Sequence, residues 1–224
     1  LTAILGYTEL ASDDVPRDSI TWRNLQRVLT AGARARDLVQ QILAFSRQNT
    51  TQLQPVDLPL LVRDMFSLLR ASLPSTIEIR QHIETDVGVV LAAPTQIHQV
   101  LLNLCTNAEH AMRVTGGVLE VRLEAVEVDA VFAAAHPELK PGPHVRLTVC
   151  DTGHGMPPEV LERIYEPFFT TKGVGEGTGM GLSVAHGIVA SHGGTMTVVS
   201  APGKSTTFAI YLPCSAGPAA RPAS

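Results

Sequence analysis

Residues 100–112, VLLNLCTNAEHAM, place two amides on an otherwise apolar helix. The apolar residues recur every three to four positions, which predicts a helix over about 95–112 with one buried face. Asn103 and Asn107 are four residues apart and therefore lie on the same side of that helix. Amides on an apolar surface are costly unless they have partners. Their carbonyl oxygens suit Mg²⁺, a hard cation that also binds phosphates, and a capping or solvent-facing role stays open as the alternative.

The composition is that of an ordinary globular protein. Of the 224 residues, 45% are hydrophobic and 17% are charged, and the net charge is −4. This balance supports a sizeable core and argues against a disordered chain and against non-specific nucleic-acid binding, which requires a basic excess. No apolar run reaches the roughly 20 residues of a membrane helix. Three cysteines without metal-ligand spacing predict reduced thiols and a cytoplasmic location, with a membrane anchor upstream left open for a longer parent protein.

The chain divides into a helical part and a mixed part. Residues 1–48 carry two amphipathic helical patterns, which predict a helical hairpin whose apolar side needs a partner surface. A dimeric bundle is the favoured partner arrangement, and packing on the rest of the same chain is the alternative. Residues 49–54 are polar and predict a linker, residues 55–213 alternate helical and strand patterns, and residues 214–224 predict a flexible tail.

A turn motif follows a predicted strand directly. Residues 151–159 have the sequence DTGHGMPPE, in which Asp151 at the strand end can accept a hydrogen bond from an exocyclic amine. Gly153 and Gly155 allow the backbone to turn sharply and to approach a flat ligand. The motif alone is also compatible with a common turn.

A glycine-rich loop then leads into another helix. Residues 164–182, IYEPFFTTKGVGEGTGMGL, contain a glycine at every second position from Gly173 to Gly181. Backbone N–H groups at the start of a helix favour phosphate, and Lys172 adds a cation. We predict a lid over a nucleotide, with a flexible linker as the alternative. The glycine spacing does not match a P-loop or a Rossmann motif.

Taken together, these segments resemble the catalytic core of a sensor histidine kinase of the two-component, often hybrid, class. NLCTNAEHAM resembles the N box, DTGHGM the first glycine box, EPFFTTK the phenylalanine box and GEGTGMGLSVAHGIVASHGG the second glycine box. LTAILGYTELA is similar to the stretch after the phosphoacceptor histidine, and LVQQILAFSRQ to the end of the second dimerisation helix. The resemblance covers nearly all of residues 1–213.

The resemblance implies an α+β fold: a helical-hairpin dimerisation domain followed by an α/β sandwich ATP-binding domain of the Bergerat (GHKL) type. It implies ATP and Mg²⁺, with Asp151 at the adenine amine, Asn107 as the metal ligand and Asn103 assisting at the phosphates. The implied nucleotide-binding set is Asn103, Asn107, His110, Asp151, Gly153, Gly155, Lys172, Gly177, Thr178, Gly179, Gly181 and Leu182.

The implied activity is phosphoryl transfer from ATP to a histidine and onward to an aspartate of a response-regulator receiver domain, in a homodimer. The family places the acceptor histidine about six residues before the position of Leu1, whereas the first histidine here is His82. We therefore assign no catalytic residue within this sequence and expect ATP binding without self-phosphorylation. Ala93 stands where the family usually has Asp, and His110 where Asp is frequent.

Three other functions stay open at this point. One is an Hsp90-, gyrase- or MutL-like ATPase or a serine kinase, although the hairpin motifs disfavour these. Another is a non-catalytic dimerising module that senses ATP. The third, phosphatase activity on the response regulator, is compatible with the kinase interpretation.

Overall fold

A computed structural model describes residues 2–29, 31–32, 52–173 and 177–215. The chain forms two compact units. The helical unit contains residues 1–51 with the loop 170–180, and the sheet unit contains residues 52–169 with 181–224. The predicted second half of the hairpin (33–48), the first half of the linker (49–51), the lid residues 174–176 and the tail from 216 onward lie outside the described residues.

The helical unit begins with two helices. Helix α1 spans Thr2–Asp13, and residues 20–29 form α2. Ser19 caps α2, because its hydroxyl accepts a hydrogen bond from the Trp22 N–H at 3.0 Å. The helices approach closely near Gly32, where an added Cβ would lie 2.6 Å from Cδ2 of Leu5. A larger residue at this point of the hairpin would require the Leu5 side chain to move.

The described residues of the sheet unit form two sheets. The small one pairs β1 with β3, and the large one has the order β2-β4-β5-β7-β6 with β2–β4 parallel and the other pairs antiparallel. Their bounds are β1 Gln54–Val56, β2 Ile77–Ile83, β3 Val90–Ala92, β4 Gly117–Val128, β5 Gly142–Asp151, β6 Thr195–Ala201 and β7 Ser205–Pro213.

Three longer helices cover the inner face of the large sheet: α3 Leu58–Ser72, α4 Pro94–Ala111 and α7 Gly181–Ser191. Every second side chain of β5 and β7 points into this layer, including Leu147 and Ile210, which lie opposite each other and are fully buried. Helix α6, Pro158–Leu161, is a single turn. The two-layer sandwich after an N-terminal pair of helices confirms the predicted α+β class.

The outer face of the large sheet is covered by a segment whose packing the sequence did not predict. The sequence of residues 129–142 predicts a surface excursion, but the segment contains the short helix α5, Ala130–Ala135, which is capped by Asp129. Ala133 and Leu139 from this segment are buried against Val128, and the ring of Phe132 contacts the tilted ring of Tyr211 with 4.9 Å between their centroids. The excursion therefore forms a small second core.

Two domain bounds differ from the sequence prediction. Strand β1 begins at Gln54, the last residue of the expected linker. The expected tail begins at Cys214, but the Cys214 N–H donates to the Pro143 carbonyl and the Ser215 N–H to the Val89 carbonyl. Backbone hydrogen bonds thus extend the sheet unit by two residues. Among the described helices, none is both long and apolar enough to cross a bilayer.

Two neighbouring leucines of α4 give a matched test of this packing. Leu101 is 0% exposed and Leu102 is 52% exposed. We expect Leu101→Ala to lower the free energy of unfolding by about 2–5 kcal/mol, because it leaves a cavity in the core. Leu102→Ala should change it by less than about 1 kcal/mol. Urea unfolding followed by circular dichroism measures both, and equal losses would contradict the packing described.

Candidate nucleotide-binding site

The predicted site centres on Asp151, the last residue of β5. It lies opposite Leu119 of β4 and Thr206 of β7, on the inner face of the sheet. The side chain is only 5% exposed. Its Oδ1 accepts a hydrogen bond from the Gly153 N–H at 2.9 Å. A carboxylate is thus held in the core layer at the end of a central strand.

Burial raises the pKa of Asp151 above the usual range of an aspartate, because the charged form loses its hydration. The N–H of Gly153, the nearby charge of His154 and the backbone of Thr206 pull the pKa in the opposite direction, but burial outweighs them. Buried carboxyl groups with a raised pKa are common in ligand-binding sites.

The turn after Asp151 is fixed to the C-terminal end of α4. The His154 N–H donates to the Ala111 carbonyl at 3.3 Å. On the other side, the Met156 N–H donates to the Ser200 hydroxyl at 2.8 Å and the Gly203 N–H to the His154 carbonyl at 2.7 Å. Because Asn107 precedes Ala111 by one helical turn, about 6 Å along the axis, the turn and Asn107 lie at the same end of the sheet unit.

The two glycines of this turn are required by the protein's own packing. An added Cβ at Gly153 would lie 2.6 Å from the Cβ of Ala111. At Gly155, where φ is +65°, an added Cβ would collide with the Ala201 carbonyl oxygen. The predicted freedom to approach a flat ligand stays a prediction, whereas the close approach of α4 and the β6–β7 turn is a structural reason for both glycines.

The two amides of α4 lie in different surroundings. Asn103 donates from Nδ2 to the Gly181 carbonyl at 2.9 Å, so its amide nitrogen joins α4 to the first residue of α7. Asn107 and His110 are partly buried on the following turns. Leu182 is also partly buried, next to Gly181. Of the predicted set, the sheet unit therefore brings Asn103 and Gly181 into direct contact.

The other predicted residues belong to the helical unit. Lys172 donates its backbone N–H to the Thr170 hydroxyl at 3.1 Å, and an added Cβ at Gly177 would lie 2.8 Å from Cδ of Lys172. The Met180 N–H donates to the Thr178 hydroxyl at 3.4 Å. Gly179 has φ of +66°, a conformation that favours glycine. These contacts shape the loop itself, and its role at phosphates stays a prediction.

The side-chain oxygens of the sheet unit fit a Mg²⁺ ion that is coordinated mainly by a bound substrate and only to a small extent by the protein. Across the part of the chain that the structure describes, no group of three His, Cys, Asp or Glu side chains is arranged to hold a metal ion. Mg²⁺ commonly keeps several waters and takes one or two protein oxygens together with substrate phosphates. A single amide oxygen from Asn107 is consistent with that coordination.

Sequence reasoning missed two hydroxyl groups beside Asp151. Thr206 is buried, and its hydroxyl lies 2.9 Å from that of Ser200, which also accepts from Met156. Threonine is frequent in strands for reasons of packing alone, so the sequence held no distinct signal for this pair. Only the register of β5 and β7 places Thr206 opposite Asp151.

The raised pKa of Asp151 gives a prediction about stability. A carboxyl group with a raised folded-state pKa favours folding below its unfolded pKa, and this contribution is lost as the pH rises through the folded pKa. We therefore expect Asp151→Asn to have a higher Tm than the wild type at pH 7.5, with a difference that shrinks towards pH 4.

Circular dichroism melts over this pH range measure the difference. Asp64→Asn removes the same charge from an exposed position of α3 and serves as the matched control. A Tm of Asp151→Asn at or below that of the wild type at pH 7.5 would contradict the account of the buried carboxylate.

Comparisons with known proteins agree with this geometry. Residues 92–216 match the family described as histidine kinase-, DNA gyrase B-, and HSP90-like ATPase. The sensor kinase CckA of Brucella abortus (strain 2308) is 37% identical over 213 residues, which cover 95% of this chain and 22% of CckA. The chain thus spans about a fifth of the length of that relative.

Solved structures show the same fold. Full-length ShkA in complex with AMPPNP matches with a TM-score of 0.67 and 25% identity, over 94% of this chain and 42% of ShkA. Histidine kinase ThkA in complex with the response regulator TrrA matches with a TM-score of 0.68 and 22% identity, over 96% of this chain and 57% of ThkA. The chain therefore belongs to the family of histidine kinase-, DNA gyrase B- and HSP90-like ATPases.

Proposed function

We propose that this chain is the catalytic core of a sensor histidine kinase, which binds Mg·ATP and transfers its γ-phosphoryl group to a histidine that is not among the eight of this chain. The observation that carries the proposal is the buried carboxylate of Asp151 on a turn that is hydrogen-bonded to the end of the Asn-bearing helix α4. The similarity to CckA, which extends over the hairpin as well as the sheet unit, favours a kinase over the other ATPases of the family.

Each residue of the site has a distinct proposed role. The Asp151 carboxyl group accepts a hydrogen bond from the 6-amino group of adenine, which guanine lacks. The side-chain oxygen of Asn107 is a ligand of Mg²⁺, and the metal, when bound, neutralises charge on the phosphates. Asn103 holds the start of α7 in place through Gly181 and assists at the phosphates from that position. The remaining predicted residues, in the loop and at His110, keep their predicted roles.

The proposed reaction requires little covalent chemistry from the residues of this chain. A lone pair of the acceptor imidazole forms a P–N bond with the γ-phosphorus, and the bond to the bridging oxygen of ADP breaks. The residues of the sheet unit bind and orient the nucleotide for that step. The ThkA structure contains a response regulator, which supports a receiver domain as the next acceptor.

Nucleotide binding tests the proposal directly. We expect the wild-type chain to bind Mg·ATP in preference to Mg·GTP, and Asp151→Asn to weaken Mg·ATP binding by roughly ten- to a hundredfold, because a hydrogen bond to a charged group is lost. Isothermal titration calorimetry gives both affinities, with Asp64→Asn as the control.

Incubation with γ-labelled ATP adds a second measurement, in which none of the eight histidines of the chain should acquire label. Unchanged affinity in Asp151→Asn would favour a scaffold without this adenine site. Stable histidine labelling of the chain alone would show that the acceptor lies within it.

We further propose that the hairpin forms a homodimer. Three apolar side chains of α1, those of Ile4, Tyr7 and Leu10, are exposed. At 100° per residue they lie within one third of the helix circumference, on a different side from Leu5, which faces Gly32. An exposed apolar stripe of this kind is typical of a helix that packs in a bundle.

A charged residue in this stripe should prevent dimer formation. We expect the wild-type chain to sediment with twice its 23.9 kDa mass and Tyr7→Glu to sediment as a monomer, because the glutamate would be desolvated in the interface. Arg17→Glu, in the exposed turn between α1 and α2, is the control for added negative charge. A monomeric wild type in analytical ultracentrifugation would rule out the proposed dimer.

A further inference from the structure

A buried histidine joins α4 and α7, the two helices of the sheet unit that carry predicted site residues. His192 follows the last residue of α7 and is only 6% exposed. Its Nε2 accepts a hydrogen bond from the Ala93 N–H at 3.0 Å, across 99 residues of sequence. Its Nδ1 lies 2.7 Å from the Ile188 carbonyl oxygen, one turn earlier in α7. Both ring nitrogens are thus engaged with backbone groups of two different helices.

These two contacts fix the protonation state of the ring. A carbonyl oxygen can only accept, so Nδ1 carries the hydrogen, and a backbone N–H can only donate, so Nε2 presents its lone pair. The Ser191 hydroxyl, which donates to the same Ile188 carbonyl, lies 3.3 Å from Nδ1. His192 is therefore neutral in this arrangement, because an imidazolium would present a second donor to Ala93.

Ala93 explains why an imidazole is needed at this place. It is the N-cap residue of α4, is 1% exposed, and has no side chain that could cap the helix. A buried backbone N–H requires an acceptor. Nε2 of His192 provides it, so the start of α4 is joined to the end of α7 by a hydrogen bond that the Ala93 N–H donates to a ring of fixed orientation.

A second link joins the middle of α4 to the start of α7. Asn103 of α4 donates to the carbonyl of Gly181, which begins α7. Ten residues of α4 separate Ala93 from Asn103, and eleven separate Gly181 from His192, so the links are about 15 Å apart along antiparallel helices. Two links at separate points of α7 constrain both its position and its direction relative to α4, in addition to the packing between the two helices.

We propose that His192 is a positioning residue for nucleotide binding. It does not contact the nucleotide. It holds α4 against α7 so that Asn107 keeps its place relative to the turn of Asp151 and the start of α7. Small displacements of site residues reduce binding and reactivity strongly, so loss of the link should lower Mg·ATP affinity roughly tenfold or more. The inference rests on the proposed ATP binding of this chain.

Two substitutions of His192 separate positioning from simple stabilisation. His192→Gln keeps an acceptor for Ala93 and a donor for Ile188 at similar reach, and His192→Leu keeps apolar volume without an acceptor. Calorimetric titration with Mg·ATP is done about 20 °C below each Tm, where the chain is folded. We expect His192→Gln to bind within about twofold of the wild type and His192→Leu to bind roughly tenfold more weakly. A merely structural residue would lower the Tm and leave the affinity of the folded protein unchanged.

Nitrogen-15 NMR of the histidine rings and of the Asn103 side-chain amide provides a readout without nucleotide. We expect His192 in the wild type to show the neutral form protonated at Nδ1, and the Asn103 amide signals to shift in His192→Leu although that residue lies about 15 Å away along α4. If the wild type does not bind Mg·ATP, the proposed function fails and the Asn103 signals alone decide the inference.

The inference is overturned by any one of three results: wild-type affinity in folded His192→Leu, loss of affinity in folded His192→Gln, or a wild-type ring that is charged or protonated at Nε2 at neutral pH. If His192→Leu does not fold, the ring spectrum of the wild type and the affinity of His192→Gln decide it.

Discussion

The carboxyl group of Asp151 is the constraint on which the sheet unit depends. It lies at the end of a core strand, where burial raises its pKa. A charged group in this position is unfavourable for folding alone, and the neighbouring N–H of Gly153 offsets only part of that cost. Its position is understandable if a ligand completes its hydrogen bonds. The turn that follows it, the glycines of that turn and the end of α4 all pack to keep this group at one place.

Helix α4 connects the turn of Asp151 to the rest of the sheet unit. Its apolar face is buried against the sheet, the Ala111 carbonyl at its C-terminal end accepts a hydrogen bond from the turn of Asp151, and its two amides are partly buried. Two hydrogen bonds from distant parts of the chain, at Ala93 and Asn103, hold it against α7. The site therefore consists of few residues, each held by backbone contacts of a rigid layer, which suits a reaction that depends on positioning and charge neutralisation.

The sequence was sufficient for features that depend on local pattern. The period of α4, the strand that ends at Asp151 and the helix after the glycine loop all follow from spacing. It was insufficient where the partner is distant. The phosphate role of Asn103 stays a prediction, but spacing did not predict that its amide nitrogen also donates to the Gly181 carbonyl, 78 residues later. The role of His192 depends on an alanine 99 residues earlier, and the three-residue strand β3 is too short to show a period. The excursion that contains Leu139 became a second core only because Tyr211 lies beneath it on the outer face.

The most direct measurement is a crystal structure of this chain with Mg²⁺ and a non-hydrolysable ATP analogue. The account predicts the adenine amine within hydrogen-bond distance of the Asp151 carboxyl group, and the Asn107 side-chain oxygen about 2.1 Å from the metal in the same cavity. An analogue bound elsewhere, with Asp151 and Asn107 facing separate spaces, would contradict it.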